Sequence, residues 1–569
     1  MNPLVREIAE RAGAHLGLPA EEIYPLITLP PDETMGDYAL PCFVFAQKRK
    51  RPPVEIAQEL ANALVGPHIV HAEPAGPYVN ITVDRAELMR YILAPILTQG
   101  EQNGRGNEGA DKTVVIDFSS PNIARPFSIA HLRSTALGNS LRRIYEHLGY
   151  RVVGVNHLGD WGVQFGTLIA AYRRWGSKEK IEKESIYELF RLYVRFNEES
   201  ERDPALRQEA RFWFKRLEEG NPEALALWQW FVDESVRAFQ HYYEILGVEF
   251  TEIRGESAYR DQTASLIEDL LRQGIAQESE GAIVIPFDDG KIPPLIIRTK
   301  DGTTVYATRD LCAAIYHYET YGFHKKLYVV DAGQSLHFQQ LALALEKLGY
   351  PWANRLIHVP FGVMLFEDQR MSTRRGHVVF LEEVLQRSIE LTRSIIATTI
   401  KKGSELTEEE KEQVAQDVGV SAILYADLSR SRTHDIHFRW EEVLNFNGQS
   451  GPYIQYTHAR LAGVLRNYGK SIPQQPKYSV LAHPQEISLA KRLEQFPMKV
   501  KQAAEEYEPY VIASYLGDLA SSANQFYDHC RVLGEEPDLE EARIALVYAA
   551  KITLQKGLLL LGMKAPERM

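Results

Sequence analysis

The segment VVIDFSSPNIARPFSIAHLRSTALGN, residues 114–139, restricts the fold of this chain more than any other. Val114, Val115, Ile116 and Phe118 form a short β-branched and aromatic run, which predicts a buried strand. After Pro126, Ile129, Leu132, Leu137, Leu141, Ile144 and Leu148 recur at close to helical spacing, and Gly149 stops the helix. Arg151 to Val155 then reads as a second strand. Such a β-α-β unit crosses over right-handedly and binds ligands at the carboxyl ends of its strands. Asp117 and His131 both belong at that end, where helix N–H groups favour charged small molecules.

The rest of the chain is organised around this unit. Its 569 residues, 45% hydrophobic and 25% charged, suit about three or four soluble domains. Residues 1 to about 105 read as a separate α+β unit closing with a strand at Tyr78 to Val83, followed by a Gly/Asn/Glu-rich linker from Gly100 to Gly109. A nucleotide-binding unit is expected over residues 110–385, interrupted at about 167–300 by a helical insert. The insert contains ALALWQWFVDESVRAFQHYYEILGVEF, an aromatic-rich helix that reads as core. From 386 to 569 the chain is expected to be a helical linker and a helical domain.

Composition sets further bounds. Cys42, Cys312 and Cys530 stand far apart without a CxxC pair, which argues against a zinc ribbon or a disulfide framework and for a reducing cytoplasm. The N-terminal MNPLVREIAERAG reads as an amphipathic helix and not as a signal peptide, and no apolar run is long enough to cross a bilayer. A net charge of −12 at pH 7 opposes non-specific nucleic-acid binding. Any RNA contact must then be a local surface; the basic run Lys48 to Arg51 is equally a solvated charge run before Pro52.

Six segments in order resemble the arginyl-tRNA synthetase family of class I synthetases. They are FSSPNIARPFSIAHLRST, NHLGDWGVQFG, YATRDLCAAIYH, GQSLHFQQL, RMSTRRGHVV and the terminal LLLLGMKAPERM. GDYALP and AGPYVNITV further resemble the family's N-terminal domain, and NQFYDHCRVL its anticodon-binding domain. The resemblance implies a Rossmann-like catalytic domain with a helical insertion, an α+β N-terminal domain that contacts the outer corner of tRNA, and an all-α anticodon-binding domain. It also implies ATP-dependent ligation of L-arginine to tRNA by a cytoplasmic enzyme, here expected to act as a monomer, with magnesium accompanying ATP and no protein metal site. Adenylate formation is expected to require bound tRNA.

Specific residues carry over by the same resemblance. Asp117 and Asp310 are expected to bind the substrate guanidinium, since a carboxylate pair distinguishes it from an ammonium. Ser120, Asn122, Tyr306 and Gln334 complete that pocket. The reaction needs reactants aligned and phosphate charge neutralised more than it needs a protein nucleophile. His131 and Ser128 are expected to donate to ATP, with Arg125 and the loop residues Arg370, Met371, Ser372 and Arg374 closing over it. Tyr78 and Asn80, sharing one face of an edge strand, and Tyr510, Phe526, Tyr527 and Arg531 are expected to meet tRNA bases.

Three departures from the family pattern are visible. The usual HxGH element reads Ser128-Ile129-Ala130-His131, which places a methyl group where adenine stacks on bare backbone. The mobile loop and the position before the element carry arginines where lysines are usual, and the two cations differ in geometry. At Asp117 the family more often has glutamate. A catalytically weakened relative that binds tRNA without charging it is the competing reading; the intact set of pocket residues opposes it.

Overall fold

Five parallel strands form the central sheet in the spatial order Glu252–Ile253, Arg151–Asn156, Thr113–Asp117, Lys325–Asp331 and Leu356–Phe361. They belong to a computed structural model that describes residues 2–30, 35–287, 290–366, 369–370, 379–399, 406–445 and 448–569. In chain order the strands lie 3-2-1-4-5, so the direction of winding reverses between Thr113–Asp117 and Lys325–Asp331. Ligands collect at such a switch point. Val114, Val115 and Ile116 are wholly buried, because both faces of a parallel sheet are covered. The helix Ile129–His147 packs on one face. Its Gly138 permits the approach: a Cβ there would lie 2.3 Å from the Cβ of Phe118. The helices Tyr306–Tyr321 and Ser335–Lys347 cover the other face.

The expected helical insert is shorter than its sequence range. Helices run from Val163–Trp175 through Pro222–Leu246, but Glu252–Ile253 then rejoins the central sheet. Beyond the helix Arg260–Arg272 comes a three-stranded antiparallel sheet of Gln277–Ser279, Ala282–Ile285 and Leu295–Arg298. Leu295 and Ile297 point inward while Ile296 is exposed, an alternation of period two that a helix cannot satisfy.

In the N-terminal unit the strand Tyr78–Val83 is central, flanked by Tyr38–Pro41 and Ile69–Ala75. The expectation of an edge strand is therefore corrected: Tyr38–Pro41, only four residues long, pairs along its open side. This unit docks on the C-terminal helix Pro484–Glu494. Asn2 Nδ2 and Tyr38 Oη donate to Glu494 Oε1 at 2.7 and 2.8 Å, and Lys491 Nζ lies 2.8 Å from Asp37. The GDYALP motif thus ties two domains together. The C-terminal helices also grip the helix Ile129–His147, where Ser140 Oγ donates to Leu560 O at 2.9 Å and Tyr145 Oη to Ala504 O at 2.8 Å. Among the described residues no helix is long and apolar enough to cross a membrane.

Candidate active site

A cleft of about 580 Å³ opens at the switch point. Asp117, Ser120, Asn122, Tyr306, Asp310 and Gln334, the six residues expected to hold arginine, all line it, together with Ala130 and His131. The loop between strand and helix is shaped by non-glycine residues in the left-handed region: Ser119 at φ 70°, Ser120 at φ 45° and Ala124 at φ 60°. Each costs energy and persists only where surroundings hold it. Ser119 N donates to Ser134 Oγ at 2.9 Å, Ser120 N to Asn156 Oδ1 at 3.1 Å and Ala124 N to Ser235 Oγ at 3.0 Å. The aromatic insert helix contributes directly, since Tyr243 Oη meets Ser119 Oγ at 2.8 Å and accepts from Asn156 Nδ2 at 3.0 Å.

Two carboxylates define the acidic end of the cleft. Asp117 ends the first strand, is 6% exposed, and accepts from Ser120 Oγ at 2.9 Å. Burial pushes its carboxyl above the usual range and nearby Asp310 adds to the rise, against the pull of His157 and Lys326. Asp310 comes from the first turns of the helix Tyr306–Tyr321. Burial pushes its carboxyl up as well, but the 2.7 Å contact with His337 Nε2 and the charges of His157 and Lys326 outweigh it and hold it below the usual value. Tyr306, half exposed, packs edge-on against His337 with ring centroids 4.8 Å apart.

Among the cleft residues that escaped the sequence reading, three bear on its polarity. Glu256 follows the short third strand and pairs with Arg309 at 2.7 Å; treating residues 167–300 as helical hid the strand end that presents it. His157 lies directly beyond the second strand, 3.5 Å from Asp310, and its position after RVVGVN could have marked it. Tyr328 is 4% exposed, pairs in register with Asp117, and has a buried hydroxyl without a partner among the described residues.

On the opposite side stands His131. Its Nδ1 accepts from the Ser128 backbone N–H at 3.1 Å and lies 2.9 Å from Ser128 Oγ, which leaves the proton on Nε2. Burial and the Arg125 charge push its pKa down to about 4, so the ring is a neutral donor. Ser128 itself is 2% exposed and does not line the cleft. Here its side chain caps the helix and braces His131. Arg125 does not line the cleft either; its guanidinium lies 5.5 Å from the ring centre of Tyr193 on the insert. Arg370 pairs its backbone with Leu365, its side chain lying outside the described ones, and Met371, Ser372 and Arg374 lie outside the described residues altogether.

Comparison with known proteins places this geometry. The family pattern described as "tRNA synthetases class I (R), catalytic domain" matches residues 92–440, the "Arginyl tRNA synthetase N terminal domain" residues 3–83, and the "DALR anticodon binding domain" residues 454–569. The chain belongs to the arginyl-tRNA synthetase family. It is similar to a Bacillus anthracis protein named arginine–tRNA ligase 2, at 46% identity over 97% of each chain, and to a Clostridioides difficile arginine–tRNA ligase, at 43% identity over 97% of each. Among solved structures it resembles Thermus thermophilus arginyl-tRNA synthetase, with a TM-score of 0.82 and 28% identity over 100% of both chains.

The residues this synthetase was expected to turn toward RNA are less uniform than its pocket. Tyr78 is 38% exposed and meets Phe43, itself 49% exposed, edge-on at 5.6 Å, whereas Asn80 is only 7% exposed. Tyr510 and Tyr527 are half exposed on the helix Tyr510–His529, and Arg531 is exposed just beyond it. Phe526 is wholly buried, a correction with a simple cause. It continues the inward stripe of Ile512, Leu516, Leu519 and Ala523, while Tyr527 lies about 100° further round the helix. Sequence reasoning also missed Arg460, whose guanidinium sits 4.9 and 5.1 Å from the rings of Tyr456 and Tyr527, a cation between two exposed faces.

Proposed function

We propose that this chain joins L-arginine to its tRNA at the expense of ATP, with the substrate guanidinium held between Asp117 and Asp310 and the ATP phosphates at the start of the helix Ile129–His147. The arginine carboxylate attacks the α-phosphorus and pyrophosphate leaves; the acyl group then moves to a terminal ribose hydroxyl of tRNA with loss of AMP. Ser120, Asn122, Tyr306 and Gln334 orient the amino acid. His131 Nε2–H and the helix N-terminus offer donors to the phosphates, and Arg125 adds positive charge near them. Tyr78, Tyr510, Tyr527 and Arg531 are the proposed tRNA contacts. Asn80 joins them only by a slight shift of its neighbours.

One observation carries this reading: the six residues of the expected arginine pocket come from separate parts of the chain and line one cleft. Magnesium would accompany the phosphates of ATP. Action as a monomer in a reducing cytoplasm is in keeping with a pocket built from one chain and with three buried, free thiols. Charging of total tRNA with each amino acid in turn tests the proposal. Arginine alone should be transferred, and arginine-dependent ATP–pyrophosphate exchange should appear only when tRNA is present. Transfer of another amino acid, or protein that binds tRNA and never exchanges, would overturn it.

A further inference from the structure

Behind the acidic end of the cleft lies a cation for which the proposed reaction gives no use. Lys326, on the strand Lys325–Asp331, is wholly buried. Its register partner is Val115, two residues before Asp117, so its side chain shares the face that carries Asp117 and Tyr328. Its Nζ lies 4.4 Å from the centre of the Tyr328 ring. It donates to a neutral acceptor, the His317 Nδ1 at 2.7 Å, and no carboxylate stands within ion-pair reach among the described residues. The proton of that imidazole must then sit on Nε2, which lies 4.0 Å from Glu252. Glu252 is further tied to Tyr316 and Tyr321 at 3.0 and 2.8 Å.

Burying an ammonium is costly unless surrounding charge repays it. The charged groups nearest it come from several elements. From the strands come Asp117 and Glu252; from the helix Tyr306–Tyr321 come Arg309 and Asp310; Arg254 and Glu256 follow the third strand. Arg309 is paired with Glu256 at 2.7 Å and Arg254 lies 3.6 Å from Glu252. Leaving the histidines out of the count, these four carboxylates face three fixed cations, Lys326 being the third. Counted this way there is one cation fewer than carboxylates, and the two carboxylates of the set without an arginine partner, Asp117 and Asp310, both line the cleft.

We propose that Lys326 is a positioning residue for the amino-acid substrate, a built-in cation that keeps Asp117 and Asp310 both ionised and leaves room for one more positive charge, that of the guanidinium. The inference rests on the arginine pocket proposed above. Without Lys326 the set is two charges short, a proton settles on one of the cleft carboxyls, and the guanidinium must displace it. Arginine binding then becomes coupled to proton release.

The test uses the full chain with Lys326→Met and Lys326→Gln, measuring the KM for arginine, the KM for ATP and kcat from about pH 6 to about pH 7.5, above most of the carboxyl range. That window lies below the value of about 8 to which burial lowers the ammonium. Both variants should raise the arginine KM about tenfold near pH 6.5 and make it fall by up to about tenfold per pH unit, with the parent flat and the ATP KM unchanged. Lys326→Gln keeps an N–H donor for His317 without the charge, so it guards against a merely structural effect. Parent-like arginine KM and pH dependence in either variant would overturn the inference. If Asp310→Asn still destroyed arginine use in that case, the pocket itself would stand; if Asp310→Asn also charged normally, the pocket reading would fail with it.

Discussion

The proposed arginine pocket and the proposed RNA-facing surfaces of this synthetase are built on opposite plans. The pocket gathers side chains from the ends of strands and the starts of helices, where the turn of the backbone dictates direction. Asp117 points into the cleft because strand Thr113–Asp117 ends at the switch point. The proposed RNA surfaces are helix faces and one sheet face, where a ring turns outward or inward according to its phase in the helix. Phe526 and Tyr527 are chain neighbours with the same aromatic character, yet one is wholly buried and the other 42% exposed. Small-molecule chemistry is set by position along the chain, whereas macromolecular recognition is set by which side of an element the solvent occupies.

That pair offers the largest expected effect. Phe526→Ala should cost about 3–5 kcal/mol of stability through the cavity it leaves, measured by chemical denaturation, with arginine affinity unchanged in the folded fraction. Tyr527→Ala should leave the melting transition in place and weaken tRNA binding by about 1–3 kcal/mol if a base stacks on the ring. Equal stability losses in both would erase the distinction between core and surface on this helix.

In the pocket, Asp310→Asn should spare the fold and cut kcat/KM for arginine by about 2–5 kcal/mol in activation terms, because it leaves a desolvated guanidinium short of its partner. An unchanged kcat/KM in the folded variant would remove Asp310 from the pocket and make the amino-acid site as diffuse as the RNA surface.

His131 comes next. Its removal in His131→Ala should lower kcat by about 100-fold with a smaller change in ATP KM, if its Nε2–H meets charge that develops in the transition state. The sign of its pH behaviour follows from burial. The folded pKa is depressed, so the stabilisation from the neutral ring is fully present above the unfolded value of about 6.5 and is lost as the pH falls through about 4. The pH profile of kcat should show no limb from this residue between about pH 6 and 8. An acid limb near 6.5 that disappears in His131→Ala would contradict the neutral donor.

These contrasts bear on how much of the protein was legible in its sequence. The β-α-β unit could be read because an apolar run, a helical stripe and a stop at Gly149 agree at every level. The six residues proposed for the pocket, which line one cleft, followed from motifs that sit at strand or helix ends. Glu256 did not, because a two-residue strand has too short a pattern to stand out from the helices before it, and its hydrogen-bonding partner lies nearly a hundred residues upstream. Lys326 was equally silent: a lysine opening the run KKLYVVD reads as a solvated strand end until the helix above it is placed. Ser128 was assigned to the right junction, but its task was not legible, since spacing cannot tell a side chain that faces the ligand from one that faces the helix backbone.

The smallest effect decides that task. Ser128→Ala removes the 2.9 Å contact between Oγ and His131 Nδ1 but keeps the 3.1 Å contact from its backbone N–H, so the ring stays held, less firmly. One hydrogen bond of this kind is worth about 0.5–1.5 kcal/mol, which predicts a loss in kcat of about threefold to tenfold with little change in ATP KM. If Ser128 acts through His131, the double variant Ser128→Ala/His131→Ala should be no slower than His131→Ala, because a brace has nothing left to hold. Additive losses would mean that each residue reaches the nucleotide on its own. Ser128 would then belong with the substrate-facing residues despite its burial, and the helix start would have to open on ATP binding to let it do so.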